Sequence, residues 1–174
     1  MSTSLNPDVR VRAAGIPDIP EVARLSGIIW NRCYADILSR QQIDYMLVLM
    51  YSPETIRSEM DNGISYCLVS DGGRAVGYLS FGKIRHHGQD AMKLHKIYLL
   101  PEKQGRSIGS ESLKYVVGKT SEAKLSVLML CVNKNNAAAI RFYERNGFRI
   151  ADSIVSDIGS GFVMDDFVME RNII

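Results

Sequence analysis

The run Leu125–Val132, LSVLMLCV, is apolar almost throughout and lacks the alternation of a half-wet strand. A strand apolar at consecutive positions has to be covered on both faces, so it belongs inside a sheet flanked by helices. That one segment sets the expected class as α/β (α+β), and the rest of the chain has to supply the cover. With 174 residues, 46% of them hydrophobic, there is material for one sizeable core, and a single domain over 1–174 is expected.

The remaining patterns fit that frame. Val9 to Ala14 reads as a first strand. Asp18 with Glu21 three residues on reads as a capping box, opening a helix whose Val22, Leu25, Ile29 and Cys33 share a face. Within Ile37 to Asn62, Ser52-Pro53 is a cap followed by a first-turn proline, which divides two short helices near Tyr51. Asp71-Gly72-Gly73 separates two strand-like runs as a hairpin turn. A polar loop over His86–Asp90, with both histidines solvated, precedes a strand over Ala91–Leu100. A helix from Ser107 to about Ser121 turns Leu113, Val116 and Val117 inward. Asn136 to Arg145 is a short helix stopped by Gly147, and the runs Phe148–Ser156 and Phe162–Glu170 close the chain around a turn at Gly159–Gly161. Repeats, low-complexity segments and an interdomain linker are absent.

Charge and cysteines exclude several functions. The 21 basic and 19 acidic residues leave a net +2, too little to draw a polyanion onto the surface, so no nucleic acid partner is expected. Cys33, Cys67 and Cys131 are odd in number and lack C-x-x-C spacing, which argues against a disulfide framework or a zinc site and fits a reducing cytoplasm. No apolar run approaches the roughly 18–20 residues a bilayer needs, and Met1 to Pro7 is too short and polar for a signal peptide, so no membrane association is expected.

The stretch KIYLLPEKQGRSIGSESLKYVVG, Lys96 to Gly118, runs from a strand through small residues straight into a helix. A helix start leaves about four amides unpaired and carries roughly half a positive charge, so such a loop suits a phosphate. A tight turn at Gly105 and Gly109 would account for the glycines equally well.

QGRSIGS preceded by IYLLPEK resembles motif A of the GNAT superfamily of acyl-CoA-dependent N-acetyltransferases. Gln104, Ile108 and Gly109 fit that pattern, while Ser107 stands where the family usually has its first glycine. LCVNKNNAAAIRFYERNGF is similar to motif B, with Val132, Asn136, Ala139, Tyr143 and Gly147-Phe148 in the family spacing, and together the two cover Met92 to Phe148. The resemblance implies a single-domain GNAT fold, a mixed and mostly antiparallel sheet of about six to seven strands with about four to five helices. It implies acetyl-CoA as cosubstrate and no metal. The pyrophosphate would rest on the amides of Gly105, Arg106, Ser107, Ile108, Gly109 and Ser110. Ile97, Tyr98 and Leu99 would line the pantetheine arm, and Gln104, Asn136, Ala139 and Tyr143 would contribute on the cofactor side. If Ser107 is left-handed, its Cβ costs about 1–2 kcal/mol relative to glycine, offset in part by a hydroxyl that can reach a phosphate oxygen.

The same resemblance implies direct attack of an amine on the thioester, with Tyr143 as the acid that protonates the leaving sulfur. A core tyrosine at helical spacing is the plainer account. Many members carry a glutamate at the position of Lys93, which is no carboxylate base. His95 follows on the same face by strand alternation, and Lys93 would favour its neutral form, so His95 is the candidate base beside a water chain. Asn136 either caps its helix or touches the pantetheine, and Cys131 reads as core. On the acceptor side the resemblance points to Trp30, Tyr34, Asp36 and the pair Asp165-Asp166, groups that suit a cationic amine, while a core Trp30 and a plain turn or solvated edge at Asp165-Asp166 are the simpler accounts. FVMDDFVMER and the IYL strand resemble the PaiA type of polyamine acetyltransferases, which makes a small-molecule amine such as a polyamine the expected acceptor. A protein N-terminal acetyltransferase and a non-catalytic acyl-CoA-binding regulatory module stand as alternatives, and a homodimer is left open.

Overall fold

The computed structural model describes residues 8–173. Among the described residues seven strands form one mixed sheet in the order β1-β2-β3-β4-β5-β7-β6. The contacts divide the chain into two compact units, Met1–Gly82 with Lys96–Val116, and Lys83–His95 with Val117–Ile174. Among the described residues, no helix is long and apolar enough to cross a membrane.

The first unit begins with β1 (Val9–Ala14), followed by α1 (Ile19–Cys33), α2 (Arg40–Tyr51) and α3 (Pro53–Asp61). Val22, Leu25 and Ile29 recur on one face of α1 and are buried, each contributing about 1.5–3 kcal/mol by leaving water. Ser52 ends α2 and caps α3, accepting from the Thr55 amide with Pro53 behind it, as the Ser-Pro signal indicates. β2 (Ser65–Asp71) pairs antiparallel with β1 and with β3 (Arg74–His86), and the turn between β2 and β3 uses Gly72 and Gly73 at φ 57° and 80°. Gly77 in β3 is required sterically. A Cβ there would lie 2.2 Å from the Tyr98 carbonyl oxygen.

Asp18 departs from the expected capping box. It lies at the end of a short 3-10 turn and makes no side-chain cap for α1. Its carboxylate instead accepts from the Gly15 amide at 2.9 Å and from Arg12 of β1 at 2.7 and 3.0 Å. The Arg12 guanidinium holds that carboxyl down at about 2.

The second unit holds the start of β4 (Gln89–Leu99), the end of α4 (Ile108–Glu122), β5 (Val127–Asn133), α5 (Ala137–Arg145), β6 (Arg149–Gly159) and β7 (Phe162–Asn172). β5 pairs parallel with β4 at Met92↔Leu128 and Lys93↔Met129, and antiparallel with β7 along its length. Leu128 and Leu130 are fully buried and Met129 nearly so, as its lack of alternation requires. The expected loop over His86–Asp90 is shorter than the polarity of its residues suggests. β3 runs through His86, β4 starts at Gln89, and only His87-Gly88 turn. His86 is accordingly half-buried rather than solvated.

Candidate active site

In the first unit the β4 strand ends at Leu99, passes a 3-10 turn over Pro101–Lys103, and reaches α4 through Gln104–Ser107. Gln104 fastens this loop to the strand it left, its amide donating to the Leu99 carbonyl at 3.2 Å and lying 3.4 Å from Cys33 Sγ. Gly105 and Ser107 both adopt left-handed backbone, at φ 74° and 63°. Space around Gly105 is open, with nothing within 4 Å of a built Cβ. The Ser107 carbonyl accepts from the Glu111 amide at 2.9 Å, the first helical bond of α4. Its hydroxyl donates to the Arg106 carbonyl at 2.5 Å. Amides from Ile108 to Ser110 therefore open a helix of 15 residues, at the positive end of its dipole, beside an exposed Arg106. A turn of left-handed residues leading into a helix start makes an anion-binding concavity, and this donor set fits a pyrophosphate. The register of β4 with β5 ends at Lys93 among the described residues, ahead of the Ile97–Leu99 stretch expected to line the pantetheine.

The aromatics expected on the acceptor side form a cluster in the same unit. Trp30 stacks on Tyr34 with centroids 4.1 Å apart at 12°, and Tyr98 packs against Trp30, Tyr34, Tyr51 and Tyr78 at 5.7–6.3 Å. The phenol oxygens of Tyr51 and Tyr98 are 2.9 Å apart, and burial pushes both groups well above the ordinary phenol range. Trp30 is buried and Tyr34 half-buried, whereas Asp36 is exposed in the turn after α1.

Lys96 was not foreseen. Its Nζ lies 2.5 Å from Glu59 and donates to the Tyr66 phenol at 2.7 Å, with the Tyr51 and Tyr66 rings at 5.2 Å. Burial pulls this ammonium below its ordinary pKa while Glu59 opposes the shift. Alternation along β4 carries the signal that could have found it, because Met92, Leu94 and Lys96 share the buried phase, and a lysine there needs a partner.

In the second unit Tyr143 sits on α5, 9% exposed, between Phe142 and Phe148 at centroid distances of 5.3 and 5.7 Å. Asn136 caps this helix, its Oδ1 accepting from the Ala139 amide at 3.1 Å, and Gly147 ends it at φ 84°. His95 on β4 is half-buried with its Nε2 inside. Asp166 on β7, 5% exposed, is a second buried titratable group rather than part of a turn or solvated edge. Burial raises its carboxyl above the ordinary range and Asp165 adds to that, against Lys93 and Lys134. Burial also raises the Cys131 thiol, consistent with a core residue rather than a nucleophile.

The chain is similar to known acetyltransferases. Residues 29–148 match the model of the acetyltransferase (GNAT) family. The spermidine N(1)-acetyltransferase of Thermoplasma acidophilum is 24% identical over 162 residues, 90% of this chain and 96% of that protein. The L-methionine sulfoximine/L-methionine sulfone acetyltransferase of Pseudomonas aeruginosa is 24% identical over 150 residues, 81% of this chain and 80% of that one. Among solved structures, the PaiA N-acetyltransferase of Thermoplasma acidophilum, crystallised with coenzyme A, superposes with a TM-score of 0.79 at 22% identity, over 94% of this chain and 98% of that one. Because the family match spans more than half of the chain, the protein belongs to the acetyltransferase (GNAT) family and is an acyltransferase that takes its acetyl group from acetyl-CoA.

Proposed function

We propose that residues 1–174 act as one domain that acetylates a small primary amine, with a spermidine-like polyamine as first acceptor. The observation that carries this reading is the Gln104–Ser110 segment, two left-handed residues feeding the start of α4. When bound, acetyl-CoA supplies a thioester whose acyl carbon takes the amine and whose sulfur leaves. Gly105 to Ser110 hold the pyrophosphate by main-chain N–H groups, and Arg106 adds charge there. Ile97, Tyr98 and Leu99 present their backbone to the pantetheine, alongside Gln104, Asn136 and Ala139. Tyr143 donates a proton to the departing sulfur. Its phenol is a weaker acid than the thiol it forms, yet close enough in pKa for transfer as the bond breaks. His95 accepts the proton lost by the amine, and the buried Asp166 carboxylate is the competing acceptor, favoured by its raised affinity for protons. Trp30, Tyr34 and Asp36 receive the cationic acceptor through aromatic faces and charge. Similarity to the spermidine enzyme supports the choice of acceptor.

The test is thiol release from acetyl-CoA against polyamines, aminoglycosides, amino acids and N-terminal peptides. Release with polyamines is expected, and Tyr143→Phe should lower kcat about 10²–10⁴-fold while the thermal midpoint hardly moves. Release with peptides alone would replace this reading by N-terminal acetylation. Coenzyme binding without release on any amine would replace it by a binding module.

A further inference from the structure

At the β3–β4 turn, within the second unit, two consecutive histidines meet one glutamate of β7. His86 Nε2 lies 2.6 Å from Glu170 Oε1 and His87 Nε2 lies 3.7 Å from the same oxygen. The three ligand atoms are all within 4.8 Å of one another, and the two imidazole centroids are 4.1 Å apart. Adjacent residues of a strand point to opposite faces, so neighbouring histidines reach one carboxylate only where the alternation breaks. It breaks here because His87 is left-handed at φ 48°, followed by Gly88 at φ 80°. A residue with a Cβ is strained in that conformation, and two-residue hairpin turns usually place Asn-Gly or Gly-Gly there.

We propose that His86, His87 and Glu170 bind a divalent transition metal ion of the zinc type, which clips the β3–β4 turn to β7. Two imidazoles and one carboxylate form a borderline-soft donor set. Zinc accepts that set, whereas magnesium and calcium require mostly oxygen. With bonds of about 2.0–2.1 Å, the ligand atoms of a tetrahedral site stand about 3.3 Å apart. The 3.7 Å separation needs to close by a few tenths of an ångström and the 2.6 Å separation to open by less than about 1 Å. The opening happens as the ion takes the place of the hydrogen bond between His86 Nε2 and Glu170 Oε1.

The surroundings leave one oxygen of Glu170 to the ion, and that single carboxylate offsets half of its charge. Arg149 lies 3.9 Å from the other Glu170 oxygen, so that oxygen has its own outer partner and Oε1 is left to the ion. Arg85 is occupied by Asp90 at 2.8 Å and by the Gly88 carbonyl. His86 and Glu170 are 13% and 12% exposed while His87 is 64% exposed, so the ion has an entry path and the fourth position faces water. A plain ion pair between His86 and Glu170 explains those two residues but not the approach of His87 Nε2 to the same oxygen. None of the three belongs to the residues proposed to hold coenzyme or acceptor, and acetyl transfer itself needs no metal.

The experiment is calorimetric titration of tag-free, chelator-stripped full chain with zinc chloride in a non-coordinating buffer. Saturable binding of one ion per chain is expected, together with a rise in the thermal midpoint. His87→Gln, chosen because that side chain is exposed and its loss should leave the metal-free fold intact, should weaken zinc at least about tenfold, and Glu170→Gln should do the same. Cobalt in place of zinc should give the visible bands of a four-coordinate ion, lost in His87→Gln. No saturable heat at millimolar zinc, or equal affinity in His87→Gln, would overturn the proposal.

Discussion

At the scale of single residues, Ser107 carries the sharpest tension between backbone and function. Its φ of 63° is one that glycine adopts freely, and a Cβ there costs about 1–2 kcal/mol. The hydroxyl turns back onto the Arg106 carbonyl, a local bond that offsets part of that strain. Ser107→Gly should therefore keep or tighten coenzyme A binding by calorimetry and leave kcat unchanged. A large loss of affinity would instead mean that the hydroxyl itself grips a phosphate. The left-handed requirement was legible, because the family pattern sets a glycine at this position. The partner of the hydroxyl was not, since either a carbonyl or a ligand oxygen satisfies it equally well.

At the scale of elements, caps and periodicities carried most of the reading. Ser52-Pro53 starts α3, Asn136 and Gly147 bound α5, and the Leu125–Val132 run enters the covered strand β5 at Val127, all from signals within a few residues of one another. Asp18 shows where local signals stop. Its spacing to Glu21 suits a capping box, yet Arg12 on the neighbouring strand wins the carboxylate with two charge-assisted bonds. A carboxyl held at about 2 in the folded chain stabilises the fold fully above its ordinary range near 3.8. That contribution is lost as the pH falls from there through about 2. Asp18→Asn should flatten the dependence of stability on pH between about 4 and 2, measured by urea unfolding, and an unchanged slope would show that the pair contributes nothing. Lys96 with Glu59 and His86 with Glu170 escaped for a related reason. The partners lie 37 and 84 residues apart, beyond any pattern a helix or strand period can register.

At the scale of the whole molecule, the class, the family and the cosubstrate were readable because motif A and motif B are contiguous and their chemistry is local. The acceptor side was less so. Trp30, Tyr51, Tyr78 and Tyr98 come from two helices and two strands and Tyr34 follows α1, and only the fold brings their rings together. Trp30 is buried in that cluster, with Tyr34 and Asp36 nearer to solvent. The proposed coenzyme binding and the proposed acetyl transfer both depend on how the main chain from Gly105 to Ser110 meets an anion. Titration of the isotope-labelled protein with coenzyme A, followed residue by residue through backbone amide resonances, tests this directly. The amides of Gly105 to Ser110 should show the largest shifts, saturating with one coenzyme per chain. Saturation with those amides unmoved, and the shifts concentrated elsewhere, would contradict it.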